Sequence, residues 1–428
     1  MDTKIERVDW RHQTNVYEVN LRQYTREGTI NAFLKELPRL KDMGVETLWF
    51  MPVTPIAKAK MKGTMGSYYA CADYTAVDPE FGTVDDFANL VKMAHNLGLR
   101  VIMDWVANHT GWDHVWTKSH PDYYKKDEDG NFKAASGMDD IIELNFSNPD
   151  LVKAMIEAMS FWVKECDIDG FRCDLAFWVS LDFWKTARPE LDRIKPLFWL
   201  GELDALDNPE YLEIFDASYT WTWMHRTEEF YKNQRHVGTL KDILKKYQSV
   251  FTSGTSGIFF TSNHDENSWN GTEYEKYGDM AILLAVFSCT WDGIPLVYSG
   301  QELPNRKRLK FFDKDPIEWT QDNTLASFYK ALLTLKKENP ALASGSQGTE
   351  TILLDFHQDD YVIGFLRRSG AYAVLVLLNF SPYPTRFTYT GEEVTGKFRE
   401  LFSGEEKDYA SDPWFELEAW GYRIYVQE

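Results

Sequence analysis

Apolar runs alternate with amphipathic segments from about residue 15 to residue 300. The runs are rich in β-branched and aromatic residues and have the length of buried strands, whereas the segments between them repeat apolar residues at helical spacing. Strands are predicted at residues 16–24, 46–53, 99–109, 170–176, 197–203, 214–221, 257–263 and 294–300. This alternation predicts βα units in a parallel sheet, and eight buried strands is the number in a (β/α)₈ barrel. From pattern alone, a doubly wound sheet is the alternative.

The predicted helices carry sequence signals at their ends. A helix over residues 29–43 ends at Gly44, and a helix over residues 83–98 begins after Thr83 and ends at Gly98. Threonine is a favoured N-cap because its hydroxyl accepts a hydrogen bond from an unpaired N–H of the first turn. Glycine often follows the last helical residue because it adopts a left-handed conformation without strain.

Two intervals interrupt the alternation. Between residues 110 and 150 the chain is polar and irregular, and it is too long for an ordinary connection. After about residue 345 helical spacing is absent, and the apolar residues alternate as in an antiparallel sheet. We therefore predict a barrel formed by residues 1–109 and 151–345, a lobe of residues 110–150 inserted after the third strand, and a C-terminal antiparallel β-sandwich of residues 346–428.

The composition restricts the class of partner. The formal net charge of −20 argues against binding to nucleic acid or to an anionic membrane, and it places no limit on a neutral ligand. Aromatic residues make up 15% of the chain, with 16 Trp and 22 Tyr. Such an excess is more often additional core, but it also suits sugar binding, because the apolar faces of sugar rings stack on aromatic rings.

Cysteine usage and the N-terminus bear on the compartment. The cysteines at positions 71, 166, 173 and 289 have neither metal-ligand spacing nor the pattern of a disulfide framework, which predicts buried free thiols and fits a reducing compartment. The first residues, MDTKIERVDW, lack the apolar core of a signal peptide. We therefore predict a cytoplasmic protein, with a secreted protein whose signal peptide has been removed as the alternative. No apolar run reaches the length that spans a membrane.

Three predicted strands end in a carboxylate within an unusual short motif. These residues are Asp174 in DGFRCDLAF, Glu202 in FWLGELD and Asp265 in FFTSNHDEN. In a barrel of parallel strands all such ends open onto one face, so residues that are distant in sequence converge in space. Paired carboxylates are the groups that catalyse hydrolysis of an acetal bond.

The first two motifs also indicate how the carboxylates differ. On a strand, Arg172 and Asp174 point to the same face, and the guanidinium favours the ionised carboxylate that a nucleophile requires. Glu202 follows an aromatic segment, where desolvation raises the pKa of a carboxyl group to the range of a general acid. Taken singly, the first pair is more often a structural ion pair, and Glu202 can be a solvated strand-end residue.

Two further segments contain histidines beside these ends. His264 and Asp265 offer hydrogen bonds to hydroxyl groups and a negative charge for a cation-like transition state, although Asn-His-Asp also suits a plain turn. DWVANHT, at residues 104–110, ends the third strand. We expect Asp104 to orient Arg172 and His109 to contact the ligand.

Together these motifs resemble the α-amylase family of glycoside hydrolases in order and approximate spacing. The resemblance covers nearly the whole predicted barrel, because further segments match as well, namely GSYYACADYTAVDPEFGT (66–83), LWFMPVTP (48–55), IELN (142–145) and GIPLVYSGQE (293–302). It implies a barrel, a lobe inserted after the third strand and a C-terminal β-sandwich.

The resemblance also implies catalytic roles. Asp174 would be the nucleophile, Glu202 the general acid and then the base, and Asp265 the third acid, which grips sugar hydroxyls and stabilises an oxocarbenium-like transition state. Arg172 would set the charge and position of Asp174. The implied reaction is retaining hydrolysis of α-glucosidic bonds through a covalent glycosyl-enzyme.

Further residues would bind the sugar ring at which the bond is cut. The resemblance implies that His109 and His264 bind its hydroxyl groups and that Tyr69 stacks beneath it. Many family members also follow the nucleophile with a Lys-His pair that binds leaving-group sugars. Here Phe177 and Trp178 occupy those positions, which departs from the usual contacts on the leaving side.

A calcium site is a further expectation from the resemblance. Asn108 matches the first calcium ligand of the family, and Asp139 or Asp140 would supply an oxygen from the inserted lobe, with Asp140 the chosen candidate. Hard oxygen ligands suit Ca²⁺. The alternative is an Asn108 that is hydrogen-bonded and holds no metal. No organic cofactor is expected.

We therefore predict an enzyme that hydrolyses the α-1,4-glucosidic bonds of starch-type glucans or maltodextrins. The first alternative is an α-glucan glucanotransferase on the same scaffold, because the chemistry before deglycosylation is shared. The second is a non-catalytic carbohydrate-binding protein, which is disfavoured because all three acids are present. The motifs leave endo or exo attack open, since the loops around the cleft decide it.

Overall fold

A closed parallel barrel forms the centre of the molecule. The computed structural model describes residues 5–233, 236–251, 254–320, 324–346, 348–357, 360–389, 391–409 and 414–427. The barrel strands are Val16–Val19 (β1), Thr47–Phe50 (β2), Arg100–Trp105 (β3), Gly170–Cys173 (β4), Phe198–Asp204 (β5), Ala217–Tyr219 (β6), Ser256–Phe259 (β7) and Ile294–Tyr298 (β8). Each pairs in parallel with its neighbours in chain order, and β8 closes onto β1. The predicted barrel is confirmed, and the doubly wound alternative is excluded.

Burial explains why the barrel strands read as continuous apolar runs. Every residue in the eight strands is buried except Arg100, which is partly exposed. Helices cover the outer face of a parallel sheet, so both faces of each strand exclude water. A charged side chain in such a strand needs a partner. The exceptions that require an explanation are therefore the buried charged residues of the strands, namely Glu18, Asp104, Arg172, Glu202 and Asp204.

The α-helices of the described residues are Leu21–Tyr24 (α1), Ile30–Phe33 (α2), Leu37–Asp42 (α3), Val84–Asn96 (α4), Val115–Ser119 (α5), Pro149–Cys166 (α6), Leu181–Asp192 (α7), Trp221–Asn233 (α8), Gly238–Val250 (α9), Glu273–Tyr277 (α10), Met280–Thr290 (α11) and Thr324–Glu338 (α12). The predicted cap of α4 is confirmed, because the Thr83 hydroxyl accepts from the Asp86 N–H and the Asp86 side chain accepts from the Thr83 N–H.

Several predicted boundaries are wrong. The first strand ends at Val19 rather than at residue 24, because the chain turns into α1. The third strand ends at Trp105 rather than at residue 109, and the seventh ends at Phe259 rather than at residue 263. The single helix predicted over residues 29–43 is divided into α2, a 3₁₀ turn and α3. Pro38 lies in the first turn of α3, where its missing N–H costs nothing, whereas inside a continuous helix it would remove a hydrogen bond.

The lobe after β3 contains a small antiparallel sheet. Its strands are His109–Gly111, Ala134–Ala135 and Met138–Glu143, with the last in the middle. His109 lies opposite Glu143 in this sheet, so the lobe begins at the end of the barrel strand that carries Asp104. The lobe therefore stands over the carboxyl ends of the barrel strands.

The C-terminal domain is a sandwich of two antiparallel sheets. Its strands are Glu350–Leu354 (β9), Phe356–His357 (β10), Val362–Ser369 (β11), Tyr372–Asn379 (β12), Thr385–Tyr389 (β13), Lys397–Glu400 (β14), Glu406–Asp408 (β15), Trp414–Leu417 (β16) and Tyr422–Gln427 (β17). One sheet has the order β9-β11-β12-β17-β14-β15, and the other has the order β10-β13-β16. The predicted all-β domain is confirmed.

The larger sheet is buried on both faces. Along β12, Leu375 and Leu377 face the interior of the sandwich, whereas Val374 and Val376 belong to the same apolar core as the barrel. This double burial accounts for the apolar run LVLLNF. The domain boundaries predicted at residues 109/110, 150/151 and 345/346 stay predictions.

Two predictions about general properties can be compared with the structure. All four cysteines are free and buried, as predicted. Among the described residues, no helix has both the length and the apolar character needed to cross a membrane.

Candidate active site

A cavity of about 470 Å³ opens at the carboxyl ends of the barrel strands. It brings together most of the predicted site residues. Its lining comprises Lys62, Ser67, Tyr69, His109, Met138, Asp140, Ile141, Asp174, Leu175, Trp178, Glu202, Asp265, Trp269, Phe311 and Phe312. The three carboxylates Asp174, Glu202 and Asp265 therefore face one cavity, although they are up to 91 positions apart in sequence.

Strand register places the first two carboxylates side by side. Arg172 of β4 lies opposite Asp104 of β3 on one side and opposite Leu200 of β5 on the other. Asp174 follows the last residue of β4, and Glu202 lies two residues beyond Leu200. Because side chains alternate along a strand, these acids share the face that points toward the cavity.

The Arg172 guanidinium holds three carboxylates. Its Nη1 donates to Asp104 Oδ1 at 3.0 Å and to Asp174 Oδ1 at 2.8 Å. Its Nη2 forms an ion pair with Glu202 Oε2 at 2.9 Å, and its Nε donates to the Tyr219 hydroxyl at 3.2 Å. The side chain is fully buried. A buried arginine of this kind fixes the positions of the acids around it, because its planar donors have a rigid geometry.

Burial raises the pKa of both catalytic candidates, and the pKa of Glu202 stays the higher of the two. It raises the pKa of Glu202 to about 7, against the opposing charge of Arg172 and with further increase from Asp174. Burial also raises the pKa of Asp174, to about 6, and the hydrogen bond and positive charge of Arg172 limit that rise. Near neutral pH, Asp174 is therefore the more readily ionised acid and Glu202 the better proton donor.

Asp174 and Glu202 each have one carboxylate oxygen that is not hydrogen-bonded within the described residues. Glu202 Oε2 accepts the Leu175 N–H at 2.8 Å in addition to its pairing with Arg172. Leu175 has a left-handed backbone conformation (φ 40°), which is unusual for a residue other than glycine and is a form of strain found at functional sites. Asp174 Oδ2 and Glu202 Oε1 accept no hydrogen bond from the described residues, so both oxygens are available to a ligand.

A hydrogen-bonded chain links His264 to the same arginine. His264 Nδ1 lies 2.5 Å from Glu18 Oε1, and its Nε2 lies 2.7 Å from the Tyr69 hydroxyl. Tyr69 in turn donates to Asp104 Oδ2 at 3.0 Å. Burial lowers the pKa of His264, but the charges of Asp265 and Glu18 outweigh burial and raise the pKa to about 9. The imidazolium therefore donates from both nitrogens and lies beneath the cavity.

His109 has an unused polar atom at the cavity. Its Nε2 is buried and makes no hydrogen bond with any described residue, whereas its Nδ1 lies 3.2 Å from the amide of Asn108. Burial lowers the pKa of His109 to about 4, so the ring is neutral near pH 7. A buried polar atom without a hydrogen bond costs free energy unless a ligand supplies that hydrogen bond. A sugar hydroxyl at this position would do so.

Asp265 occupies a more open part of the cavity. It follows β7 and precedes a π-helix, Glu266–Asn270, and its side chain is 40% exposed. Its Oδ2 lies 3.4 Å from His264 Nε2. The following residue, Glu266, is buried and forms an ion pair with Lys276, which fixes the start of this helix.

The calcium candidates do not form a metal cluster. Asp140 lines the cavity, and its Oδ1 lies 2.8 Å from Lys62 Nζ, so a cation already neutralises it. The main-chain carbonyl of Asn108 accepts the Leu144 N–H at 3.0 Å. Within the described ranges, no three His, Cys, Asp or Glu side chains lie close enough together to hold a metal ion. The calcium site at Asn108 and Asp140 stays a prediction.

Several residues at the site did not emerge from sequence reasoning. Lys62, Trp269, Phe311 and Phe312 line the cavity, and Glu18 supports His264 from below. The sequence does mark Glu18 as unusual, because it is the one acid within the apolar strand VYEV. The pair Phe311-Phe312 also stands out within a charged segment, RLKFFDKD, where an apolar pair has no obvious helical or strand partner.

Comparisons with known proteins agree with this geometry. The family model for the alpha amylase catalytic domain matches residues 9–136 and 123–324, and that for the alpha amylase C-terminal all-beta domain matches residues 355–420. Alpha-amylase 2 of Dictyoglomus thermophilum is 26% identical over 415 residues, which cover 91% of this chain and 69% of that protein.

Two solved structures are similar over almost the whole chain. A noncanonic maltogenic alpha-amylase from Thermotoga neapolitana has a TM-score of 0.85 and 29% identity, covering 97% of each chain. An alpha-amylase from Lactobacillus plantarum has a TM-score of 0.87 and 25% identity, covering 97% of this chain and 99% of the other.

Proposed function

This chain belongs to the α-amylase family of glycoside hydrolases, and from that premise we propose that it hydrolyses α-1,4-glucosidic bonds of starch-type glucans or maltodextrins with retention of anomeric configuration. The proposal has one main support. Two nitrogens of the same guanidinium, Arg172 Nη1 and Nη2, bind Asp174 at 2.8 Å and Glu202 at 2.9 Å in one cavity. Two acids that pair with the same guanidinium lie close together. Retaining enzymes require such closeness, with carboxyl groups about 5–5.5 Å apart, whereas inverting enzymes need a wider gap that holds a water molecule.

The first step forms a covalent glycosyl-enzyme. Asp174 Oδ2, which makes no hydrogen bond with the described residues, attacks the anomeric carbon of the sugar. At the same time Glu202 Oε1 donates its proton to the glycosidic oxygen, so the bond breaks and the leaving sugar departs as an alcohol. The pKa of Glu202, raised to about 7, keeps this proton available near neutral pH.

The second step releases the sugar. Glu202, now a carboxylate, takes a proton from water, and the resulting hydroxide attacks the anomeric carbon from the side that the leaving group vacated. The bond to Asp174 breaks, and the enzyme regains its original protonation state. Two displacements at one carbon retain the configuration.

The remaining residues bind and stabilise the sugar. Asp265 provides negative charge and accepts hydrogen bonds from the sugar hydroxyls, and the His264 imidazolium, whose two N–H groups face Glu18 and Tyr69, holds the Tyr69 hydroxyl in place beneath the sugar. His109 Nε2 gains a hydroxyl partner, and the Tyr69 ring forms part of the floor. These groups act on an oxocarbenium-like transition state whose ring is flattened and positive.

Product analysis tests this proposal directly. Maltoheptaose incubated with the enzyme should give shorter sugars whose new reducing ends are in the α configuration, as measured by proton NMR before mutarotation. The Asp174→Ala variant should lose turnover while it still binds maltoheptaose, and azide should restore cleavage of α-glucosyl fluoride by forming a glucosyl azide of inverted configuration. β-configured first products, or full turnover by Asp174→Ala, would overturn the proposed mechanism.

A second candidate, transfer of the glucosyl unit to another sugar, has one supporting observation. Phe177 and Trp178, which stand where many family members have a Lys-His pair, are 41% and 36% exposed, and Trp178 lines the cavity. An exposed indole beside Glu202 can stack an acceptor sugar in place of water. Incubation of maltotriose with excess glucose distinguishes the two reactions, since a transferase would yield mainly elongated products.

A further inference from the structure

We infer that this enzyme attacks α-glucan chains only from their nonreducing ends, because a wall of bonded loops closes the cavity on the side of the sugar opposite the bond that is cut. This inference rests on the proposed function, in particular on Glu202 as the acid that protonates the leaving oxygen. Four observations support it: the position of the wall in the barrel, its internal bonds, its flanks, and the open side of the cavity.

The position of Glu202 sets the direction of the substrate. The leaving-group sugars extend past Glu202, which lies on β5. The anomeric carbon of the cleaved sugar lies between Asp174 and Glu202, so the rest of that sugar extends away from β5 across the barrel mouth. In the closed order β1-β8-β7-β6-β5-β4-β3-β2, the strand opposite β5 is β1, and the neighbours of β1 are β2 and β8. The nonreducing end of the cleaved sugar therefore points toward the loops that follow β1, β2 and β8.

Those loops are bonded to one another. After β2, the Thr64 N–H and hydroxyl both donate to Asp313 Oδ1, at 2.8 and 2.7 Å, and Asp313 belongs to the segment after β8. The Met65 N–H donates to the Phe312 carbonyl at 2.9 Å. Gly63 makes this contact possible, because a Cβ there would lie 2.5 Å from the Phe312 Cβ. No sugar chain can pass between segments in such contact.

The segment after β1 supports this wall from behind. The buried Arg22 guanidinium donates through Nη1 to the Gly66 carbonyl at 3.1 Å and to the Phe311 carbonyl at 3.2 Å, so one side chain binds both loops. The Gln23 amide donates to the carbonyls of Lys310 and Asp313. Buried hydrogen bonds to a charged donor are strong, which makes the wall a fixed part of the fold.

The flanks of the wall are closed as well. Toward the lobe, Lys62 Nζ lies 2.8 Å from carboxylate oxygens of both Asp139 and Asp140. Toward β7, the Trp269 ring packs against Phe311 and Phe312, with centroid distances of 5.2 and 5.6 Å. The wall thus runs from the lobe, through the loops after β2 and β8, to the π-helix after β7.

The opposite side of the cavity is open. Leu175 and Trp178 line it beside Glu202, and Phe177 and Trp178 are partly exposed there. A chain of any length can extend over these residues on the leaving side. The cavity therefore accepts a chain end and excludes a chain interior.

Two substrates that differ only at the nonreducing end test this inference. The first is p-nitrophenyl α-maltoheptaoside, and the second is the same compound with a 4,6-O-ethylidene group on its terminal nonreducing glucose. The enzyme should shorten the first stepwise, with the label remaining on ever shorter chains. It should cut the second at least about 100-fold more slowly, the discrimination that a fitted pocket can give.

The outcomes separate the inference from the proposed function. Equal rates on the two substrates, or early release of labelled fragments from the middle of the chain, would overturn the nonreducing-end inference and leave the hydrolase proposal intact. Failure to cut either compound would overturn the proposed function itself.

A variant pair tests whether the wall is the barrier. Asp313→Ala removes both bonds to Thr64 without altering a residue that lines the cavity, and it should raise the rate on the blocked substrate at least tenfold relative to the free one. The control is Asp127→Ala, which removes similar loop bonds to the N–H groups of Asp129 and Asn131 in the lobe and should leave the ratio unchanged. An unchanged ratio in Asp313→Ala would overturn the assignment of the barrier to this wall.

Discussion

At the scale of single residues, burial raises the pKa of both catalytic acids and leaves Glu202 the weaker acid of the two. Asp174 and Glu202 bind the same guanidinium, yet the pKa is raised to about 6 in one and to about 7 in the other. Arg172 Nη1 donates a hydrogen bond to Asp174 Oδ1. Arg172 Nη2 pairs with Glu202 Oε2, which also accepts a hydrogen bond from the Leu175 N–H. The difference assigns ionised and protonated roles to two acids that are adjacent in space.

A pH profile follows from these values. The first step requires Asp174 ionised and Glu202 protonated, so kcat/KM should fall as pH drops below about 6 and as it rises above about 7, which gives a bell with its maximum between them. For an activated substrate such as α-glucosyl fluoride, whose leaving group needs little protonation, the alkaline limb should weaken. An alkaline limb of equal depth for both substrates would contradict the role of Glu202 as the acid.

The same raised pKa predicts a cost in stability. The folded-state pKa of Glu202, about 7, lies above the ordinary value of 4.5 for a glutamate, so between these pH values the folded state binds more protons than the unfolded state. Stability therefore falls as pH rises from about 4.5 to 7, and the cost is complete above pH 7. Glu202→Gln, which imitates the protonated acid, should stabilise the protein at pH 8 by up to about 3 kcal/mol and have little effect at pH 4.5.

Denaturant unfolding at the two pH values measures this difference. The control is Glu128→Gln, which removes an exposed carboxylate of the lobe and should change stability little at either pH. Equal effects of Glu202→Gln at pH 4.5 and pH 8 would show that ionisation of this group does not cost stability.

At the scale of elements, the 3₁₀ turn Ala176–Trp178 directly follows the nucleophile strand and shapes the leaving side. Trp178→Ala should raise KM for maltoheptaose by about 5- to 30-fold, equivalent to the 1–2 kcal/mol of a stacked aromatic contact, with a smaller change in kcat. Trp414→Ala, which removes an exposed tryptophan of the C-terminal domain, is the control. Unaltered KM in Trp178→Ala would remove this residue from the leaving-group site.

The sequence predicts elements well where one physical cause dominates. All eight barrel strands were identified because both faces of each are buried, which produces apolar runs such as ETLWFMPV. Their ends were less predictable, since a residue such as Tyr24 is equally apolar in strand and helix. The carboxylates emerged because each is a charge at the end of an apolar run. Phe312 and Lys62 did not, because their roles depend on contacts between distant loops that no local pattern records.

At the scale of the whole molecule, the barrel and the sandwich share one apolar core. Strands β11 and β12 contribute alternate residues to the sandwich interior and to the barrel side, and Arg367 of β11 donates to the Ala343 carbonyl at 2.8 Å. This sheet cannot leave the barrel without exposing the apolar face that packs against the barrel. The two domains should therefore unfold in one cooperative transition.

Paired phenylalanine variants separate coupling between the domains from stability within one domain. Phe365 packs against Trp291 and Phe287 of the barrel, with centroid distances of 5.0 and 6.1 Å, whereas Phe356 packs inside the sandwich at 5.0 Å from Phe387. Each change to alanine should cost about 3–5 kcal/mol. In calorimetry, Phe365→Ala should split the transition in two because it weakens the interface, and Phe356→Ala should lower the temperature of a single transition. Neither residue lines the catalytic cavity, so both variants should keep their activity at 25 °C. Two transitions in Phe356→Ala and one in Phe365→Ala would contradict the shared core.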